Sequence, residues 1–168
     1  IEQQLHMTRA ELVELTDHTV RFARNLAPHV EFSTMDATRS DRDFVVEVLA
    51  TAIRAGATIV NIPDTVGYSM PDEFGELVSY CMDNVPGIDD VVVSVHCHDD
   101  LGHAAANSLT GVMRGVTQVE CTVNGVGERA GNASLEEIVM ALRTRQDFYE
   151  ADTTINAPEL LRTSRMVS

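Results

Sequence analysis

Apolar residues return along this chain with two alternating periods, one helical and one extended. From about Thr8 to Ala27, Leu12, Leu15, Phe22 and Leu26 recur at helical spacing, and Pro28 ends the run. Val30 to Ser33 reads as a short strand. Asp41 opens a second helix with Phe44, Val45, Val48, Leu49 and Ala52 on one face, and Gly56 stops it. Thr58 to Ile62 is a β-branched run that predicts a strand, and Pro71 sits where a first-turn proline opens a helix. Val91 to Val95 predicts a buried strand, followed by a helix from about Leu101 to Arg114 and a strand from Thr117 to Val123. Ser134 and Glu137 have capping-box spacing for another helix, and Pro158 opens a last one. The order is α-β-α-β-α-β-α-β-α, with no low-complexity stretch or linker, which suits parallel βαβ units.

The faces of the strands choose between the two parallel architectures. Over 91–98, Val92, Ser94, His96 and His98 share one face, while Val91, Val93, Val95 and Cys97 share the other. Glu120, Thr122 and Asn124 oppose Val119, Cys121 and Val123 in the same way. Asn61 and Thr65 oppose Val60 and Ile62, and Glu31 and Ser33 oppose Val30 and Phe32. Each strand therefore has one apolar face for a helix layer and one that turns polar toward its C-terminal end. That is the pattern of a TIM barrel, whose active site lies at those ends. A doubly wound sheet wants both faces apolar. The expected fold is α/β, four parallel strands with flanking helices, half of the eight that close a (β/α)8 barrel.

Composition narrows the partners. The 168 residues are 44% apolar and 23% charged, ordinary for a globular domain with a real core. A net charge of −14 argues against nucleic acid or an anionic membrane, which need a basic face. No apolar run approaches the roughly 20 residues that span a bilayer. Ile1 to Leu5 has neither the basic nor the apolar region of a signal peptide, and the abrupt start without Met suggests a fragment. Cys81, Cys97 and Cys121 are odd in number and scattered, which suits reduced thiols in a cytoplasmic protein.

Three motifs carry candidate chemistry. His96-x-His98 on a strand sets two imidazoles on one face, about 6–7 Å apart along it, where both can meet one metal ion. Cys97 between them points the other way and is not counted as a ligand. Asp99 and Asp100 are candidate supporting acceptors or a helix cap. In isolation such a pair is as readily two metal-free polar histidines; the strand context favours metal. The segment Asn124 to Asn132 holds Gly125, Gly127 and Gly131 between a strand and a capped helix, suiting either close ligand approach or a tight connection. Asn61 to Tyr68 places Asn61 and the Thr65 hydroxyl near a strand end, for a substrate carboxylate or simply for a turn.

Together, Val30 to Ser33 with Asp36 to Ser40, Asn61 to Tyr68, His96 to Gly102 and Gly125 to Asn132 resemble the DRE-type TIM-barrel acyltransferases. That family includes isopropylmalate, homocitrate and citramalate synthases. The likeness covers nearly the whole chain. Ser134 to Glu137 and Arg162 to Ser168 look most like the isopropylmalate synthases.

The resemblance implies that residues 1–168 are strands five to eight of a pyruvate carboxyltransferase-like catalytic barrel, lacking its N-terminal half and a C-terminal regulatory domain. His96, His98 and Asn132 would hold a divalent metal (Mn, Mg or Zn). Thr65 would hold the carboxylate of a 2-oxo acid, with Asn61 and Ser33 lining the same pocket. The implied reaction condenses acetyl-CoA with 2-oxoisovalerate, in leucine biosynthesis. A monovalent cation activator and a homodimer of the full-length protein are further implications.

Two departures matter. Many relatives carry a glutamate where this chain has Met35, and Asp36 would point to the other face if the strand continued. The family's signature Arg and metal-binding Asp have no counterpart here, so the piece alone is expected to be inactive, with exposed strand edges that favour self-association. Rival readings are a homocitrate or citramalate synthase, a carbon–carbon lyase of the same superfamily, and a metal-binding half-barrel without catalysis.

Overall fold

A computed structural model describes residues 7–168; the segment Ile1 to Leu5 lies outside them. Helix α1 runs Arg9–Leu26. Thr8 starts it with a reciprocal cap: its Oγ1 accepts from Glu11 N at 3.2 Å, and the Glu11 carboxylate accepts from Thr8 N at 2.8 Å. Strand β1 is Glu31–Ser33 and helix α2 is Arg42–Ala55, capped by Asp41 through Phe44 N at 3.0 Å. Strand β2, Ile59–Asp64, and helix α3, Pro71–Asn84, form the next unit. Strand β3, Val92–Cys97, is followed by α4, Ala104–Met113, and strand β4, Gln118–Glu120, by α5, Leu135–Thr144. Short helices α6, Gln146–Tyr149, and α7, Leu160–Val167, end the chain.

The strands are parallel and lie in chain order, β1-β2-β3-β4. A doubly wound sheet reverses its strand order at a switch point; this one does not. Successive helices pack side by side, α1 on α2, α2 on α3, α3 on α4 and α4 on α5. They cover one face of the sheet, where Val60, Ile62, Val93, Val95 and Cys97 join Leu49, Phe74 and Val78 in the core. The fold is therefore α/β, a four-stranded arc of a TIM barrel with its helical jacket. The outer edges of β1 and β4 have no strand partner among the described residues. No helix among them is long and apolar enough to cross a membrane.

Several boundaries differ from the periodicity. The strand expected over Thr117 to Val123 shrinks to Gln118–Glu120. Beyond it, Thr122 N bonds Ala133 O at 3.0 Å, and Asn124 turns left-handed at φ 59 within a 3-10 turn. The helix expected from Leu101 starts at Ala104, because Asp99 first closes a turn with Gly102 N at 3.0 Å and then accepts from Ala104 N at 2.9 Å. The Ser134 cap is only half a box. Its Oγ accepts from Glu137 N at 3.5 Å, but no carboxylate returns to Ser134 N; Glu136 instead accepts from the Ser134 hydroxyl and from Asn124 N. The chain does not continue as a strand to Asp36. It ends at Ser33, and Asp36 takes φ 64 with its carboxylate on Arg39. Before the final helix, Pro158 sits in a 3-10 turn, Ala157–Glu159.

Candidate functional site

The open face of the sheet carries one polar network across all four strands. Register sets it up: Ser33 lies beside Asn61, Asn61 beside Ser94, and His96 beside Glu120. Asn61 is fully buried and donates its amide to both Glu31 and Glu120. Gln118 donates to Glu31 and to Ser94 Oγ, at 3.2 Å each. His96 Nδ1 lies 2.9 Å from Glu120 Oε2, off the ring's N–H axis. The His96 ring holds the Glu120 carboxyl well below its ordinary range. The hydrogen bond shared with Glu120, together with burial and charge repulsion, pushes Glu31 above it.

At the C-terminal end of β3 the two histidines converge. His96 Nε2 and His98 Nε2 are 3.1 Å apart, with the rings edge to face. His98 Nδ1 is 2.6 Å from Thr65 O, which only accepts, and 3.1 Å from Arg129 Nη2, which only donates; the shorter contact favours the proton on Nδ1. The carboxylate beside His96 Nδ1 favours the proton there too. Both Nε2 atoms then present lone pairs to each other, an arrangement that asks for a shared cation.

Asn132 enters from the loop after β4. Its backbone bridges that of His98, and Ala133 N bonds Cys97 O at 3.1 Å. Asn132 Oδ1 is shielded from solvent and has no hydrogen-bond partner. A Cβ on Gly127 would come within 2.6 Å of that amide, so the loop leaves it its space. Two imidazole nitrogens and an unpartnered amide oxygen suit a borderline divalent metal. Among the described residues no group of three or more His, Cys, Asp or Glu is arranged for a metal. The donors here are two His and an amide, and the carboxylate that the resemblance implies has no counterpart in the chain. Cys97 packs on the helix side, where burial pushes its thiol up to about 12, so it stays protonated.

Pro63 and Asp64 still belong to β2, and the turn begins at Thr65, where Gly67 N bonds back to Asp64 O at 3.2 Å. Buried Asp64 accepts from Ser69 N at 3.1 Å and from Thr38 Oγ1 at 3.2 Å, which folds the loop back. Thr65 Oγ1 accepts from Asp36 N at 2.8 Å. Its hydroxyl proton remains available to donate to a carboxylate. Thus His96, His98, Asn132 and Thr65 come together, and Asn61 is tied to them through Glu120. Ser33 stands apart. It lies in register with Asn61 but is exposed, and it lines a cleft of about 340 Å³ between α1, α2 and the free edge of β1. Met35 lines the same cleft with its side chain in solvent.

Two contributors escaped the motif reading. Glu120 could have been found by aligning the strands, since it is the cross-strand neighbour of His96. Arg129 forks onto Asp100, with Nε–Oδ1 at 2.8 Å and Nη2–Oδ2 at 2.7 Å, and this contact leaves no period in the sequence. Of the roles open to the aspartates, Asp99 caps toward α4 and Asp100 takes the ion pair, which lowers its carboxyl.

Comparison with known proteins places this geometry. The HMGL-like family model matches residues 1–167. A curated protein of Aquifex aeolicus called 2-isopropylmalate synthase is 56% identical over 99% of this chain and 32% of its own length. Its namesake in Nitrosospira multiformis is 55% identical over the whole chain and 33% of its own length. The chain thus spans about a third of these relatives. Among solved structures, hydroxymethylglutaryl-CoA lyase from Pseudomonas aeruginosa superposes with a TM-score of 0.79 at 18% identity, over 99% of this chain and 57% of that one. At that identity the likeness speaks for the fold alone, an arc that fits a larger barrel. With the family model matched over all but its last residue, and with curated relatives of one name above half identity, the chain belongs to the HMGL-like family.

Proposed function

We propose that this chain is the metal-holding half of a catalytic barrel that condenses acetyl-CoA with 2-oxoisovalerate, water then hydrolysing the resulting thioester to give 2-isopropylmalate and CoA. What carries the reading is the convergence of His96 Nε2 and His98 Nε2 at 3.1 Å, with an unpartnered Asn132 Oδ1 on the adjoining loop. The names of the relatives support the substrate choice.

His96, His98 and Asn132 would hold a divalent metal such as Mn, Mg or Zn. When bound, that ion polarises the carbonyl of the 2-oxo acid as a Lewis acid. The protein's own groups do the rest of what this half contributes. Glu120 and the Thr65 carbonyl orient the two rings by engaging their Nδ1 sides. The Thr65 hydroxyl, its oxygen already accepting from Asp36 N, donates its proton to the substrate carboxylate. Asn61 braces the floor by donating to both the Glu31 and Glu120 carboxyls, while Ser33, in register beside it, lines the neighbouring cleft. The chain carries −14, so anionic substrates need this local cation. Deprotonation of acetyl-CoA and completion of the metal shell are assigned to a segment outside these residues. By themselves, the 168 residues would not turn over. In the full-length protein we place the enzyme in leucine biosynthesis, in the cytoplasm, as a homodimer.

The test is release of CoA thiol by the full-length protein with Mn or Mg and with 2-oxoisovalerate, pyruvate or 2-oxoglutarate. Turnover should favour 2-oxoisovalerate and vanish in His96→Ala and in His98→Ala. Preference for pyruvate or 2-oxoglutarate would move the reading to a citramalate or homocitrate synthase. No thiol release with any of the three would sink the synthase reading.

A further inference from the structure

Arg129 has no part in the functions above, yet its side chain ties together the loops that follow three strands. Its fork on Asp100 joins the loop after β4 to the loop after β3. Its Nη2 also donates to Thr65 O at 2.9 Å, in the loop after β2. That carbonyl is the one that accepts from His98 Nδ1 at 2.6 Å. Both its lone pairs are therefore engaged, one by the guanidinium and one by the metal-facing histidine.

The surroundings are built tightly around this contact. A Cβ on Gly67 would collide with the Asp100 carboxylate and come within 2.8 Å of His98 O. Arg129 itself is held at φ 52, a left-handed backbone that a long side chain adopts only when its surroundings impose it. Two residues further on, Gly131 O accepts from Asp99 N at 2.9 Å, and Asn132 follows at once. A Cβ on Gly131, at φ 111, would strike Gly125 O. The guanidinium thus fixes the acceptor that orients His98 while its own loop delivers Asn132.

We propose that Arg129 is a positioning residue: it locks the three loops so that His98 and Asn132 are in metal-holding geometry before the metal arrives. This rests on the metal reading above. An ordinary surface ion pair would need no third bond and no strained backbone. The side chain of Arg129 is 45% exposed, and exposed pairs add little to global stability. Its effect is accordingly on geometry rather than on folding. Lysine would keep the charge but lose the fork.

The experiment uses the full-length protein and Mn²⁺ alone, titrated calorimetrically into the parent, Arg129→Ala, Arg129→Lys, Asp100→Asn and the double variant Arg129→Ala/Asp100→Asn. Removing an outer partner of a metal ligand weakens binding roughly 10–100-fold. That loss is expected for Arg129→Ala, a smaller one for Arg129→Lys, and no further loss in the double variant. The Co²⁺ absorption spectrum should change with Arg129→Ala, while the metal-free melting temperature holds. Amide exchange without metal should quicken at Leu101 and Asn132 but not in α2 or α3. Parent-like Mn²⁺ affinity in Arg129→Ala, or additive losses in the double variant, would overturn the proposal. If the parent binds no Mn²⁺, the metal reading falls separately. The clamp is then judged by exchange alone, and unchanged protection at Leu101 and Asn132 in Arg129→Ala overturns it.

Discussion

On one side of β3, Val93, Val95 and Cys97 pack against the helices; on the other, Ser94 and His96 meet polar groups from β4. The same six residues therefore serve two environments with opposite demands. The helix side is dry and close-packed: a Cβ on Gly111 of α4 would already press on Val95 at 3.1 Å. The open side holds two carboxylates, two imidazoles and several amides, and some of its oxygens find no partner. The contrast teaches where each property resides. Stability belongs to the face that excludes water, and binding capacity belongs to the face whose polar groups are left incompletely satisfied.

The largest effect should come from the dry side. Phe74 on α3 is fully buried, and Phe74→Ala should cost about 3–5 kcal/mol in urea unfolding. Mn²⁺ affinity of the molecules that remain folded should be unchanged; a large drop in affinity would break the separation of the two faces. Next comes Asn61→Ala on the open side, which leaves Glu31 and Glu120 without the amide between them. We expect a loss of about 1–3 kcal/mol in stability, because a buried amide and its hydrogen bonds to two partly exposed carboxyls are removed. An Asn61→Ala protein as stable as its parent would show that the polar face adds nothing to the fold.

A third prediction uses pH. Burial pushes the Cys81 thiol from 9.0 up to about 12, since thiolate is disfavoured in the core. A folded-state pKa above the unfolded one means its contribution is complete below pH about 9 and is lost as pH climbs toward 12. At pH about 10 this amounts to about 1.4 kcal/mol relative to neutral pH. Comparing denaturation at pH 7.5 and 10, Cys81→Ala should show a fall smaller by that amount. An equal fall in both proteins would mean that the thiol ionises freely in the folded state. The smallest effect is Asp41→Ala, which removes the cap at the start of α2 and should cost about 1 kcal/mol with no change in metal affinity.

Period-two alternation in 91–98 was enough to read which side of β3 meets helices and which carries His96 and His98, because strand geometry fixes that from sequence alone. Alternation also suggested that the β4 region would run on to Val123. It stops at Glu120, because Thr122 finds hydrogen-bond partners in Ala133 of its own returning loop and in Leu135, the first residue of α5. No local pattern records that competition. The pairing of Arg129 with Asp100 spans 29 residues, and that of His96 with Glu120 depends on strand register. Such long-range matches become visible only once the strands are aligned. Ser33 shows the converse. The resemblance puts it in the substrate pocket, and it does lie in register with Asn61, but its side chain has no partner beside the histidines and lines the rim of a separate cleft.

The strand order has a kinetic consequence. Each strand pairs with its predecessor in the chain, so contacts form between neighbouring units rather than across the whole sequence. Each pairing still spans a whole βα unit, yet the chain can gain structure unit by unit as it leaves the ribosome. His98 follows the third strand and Asn132 the fourth. The two can therefore meet only after the loop beyond β4 has been made, on strands that the dry side already holds in place.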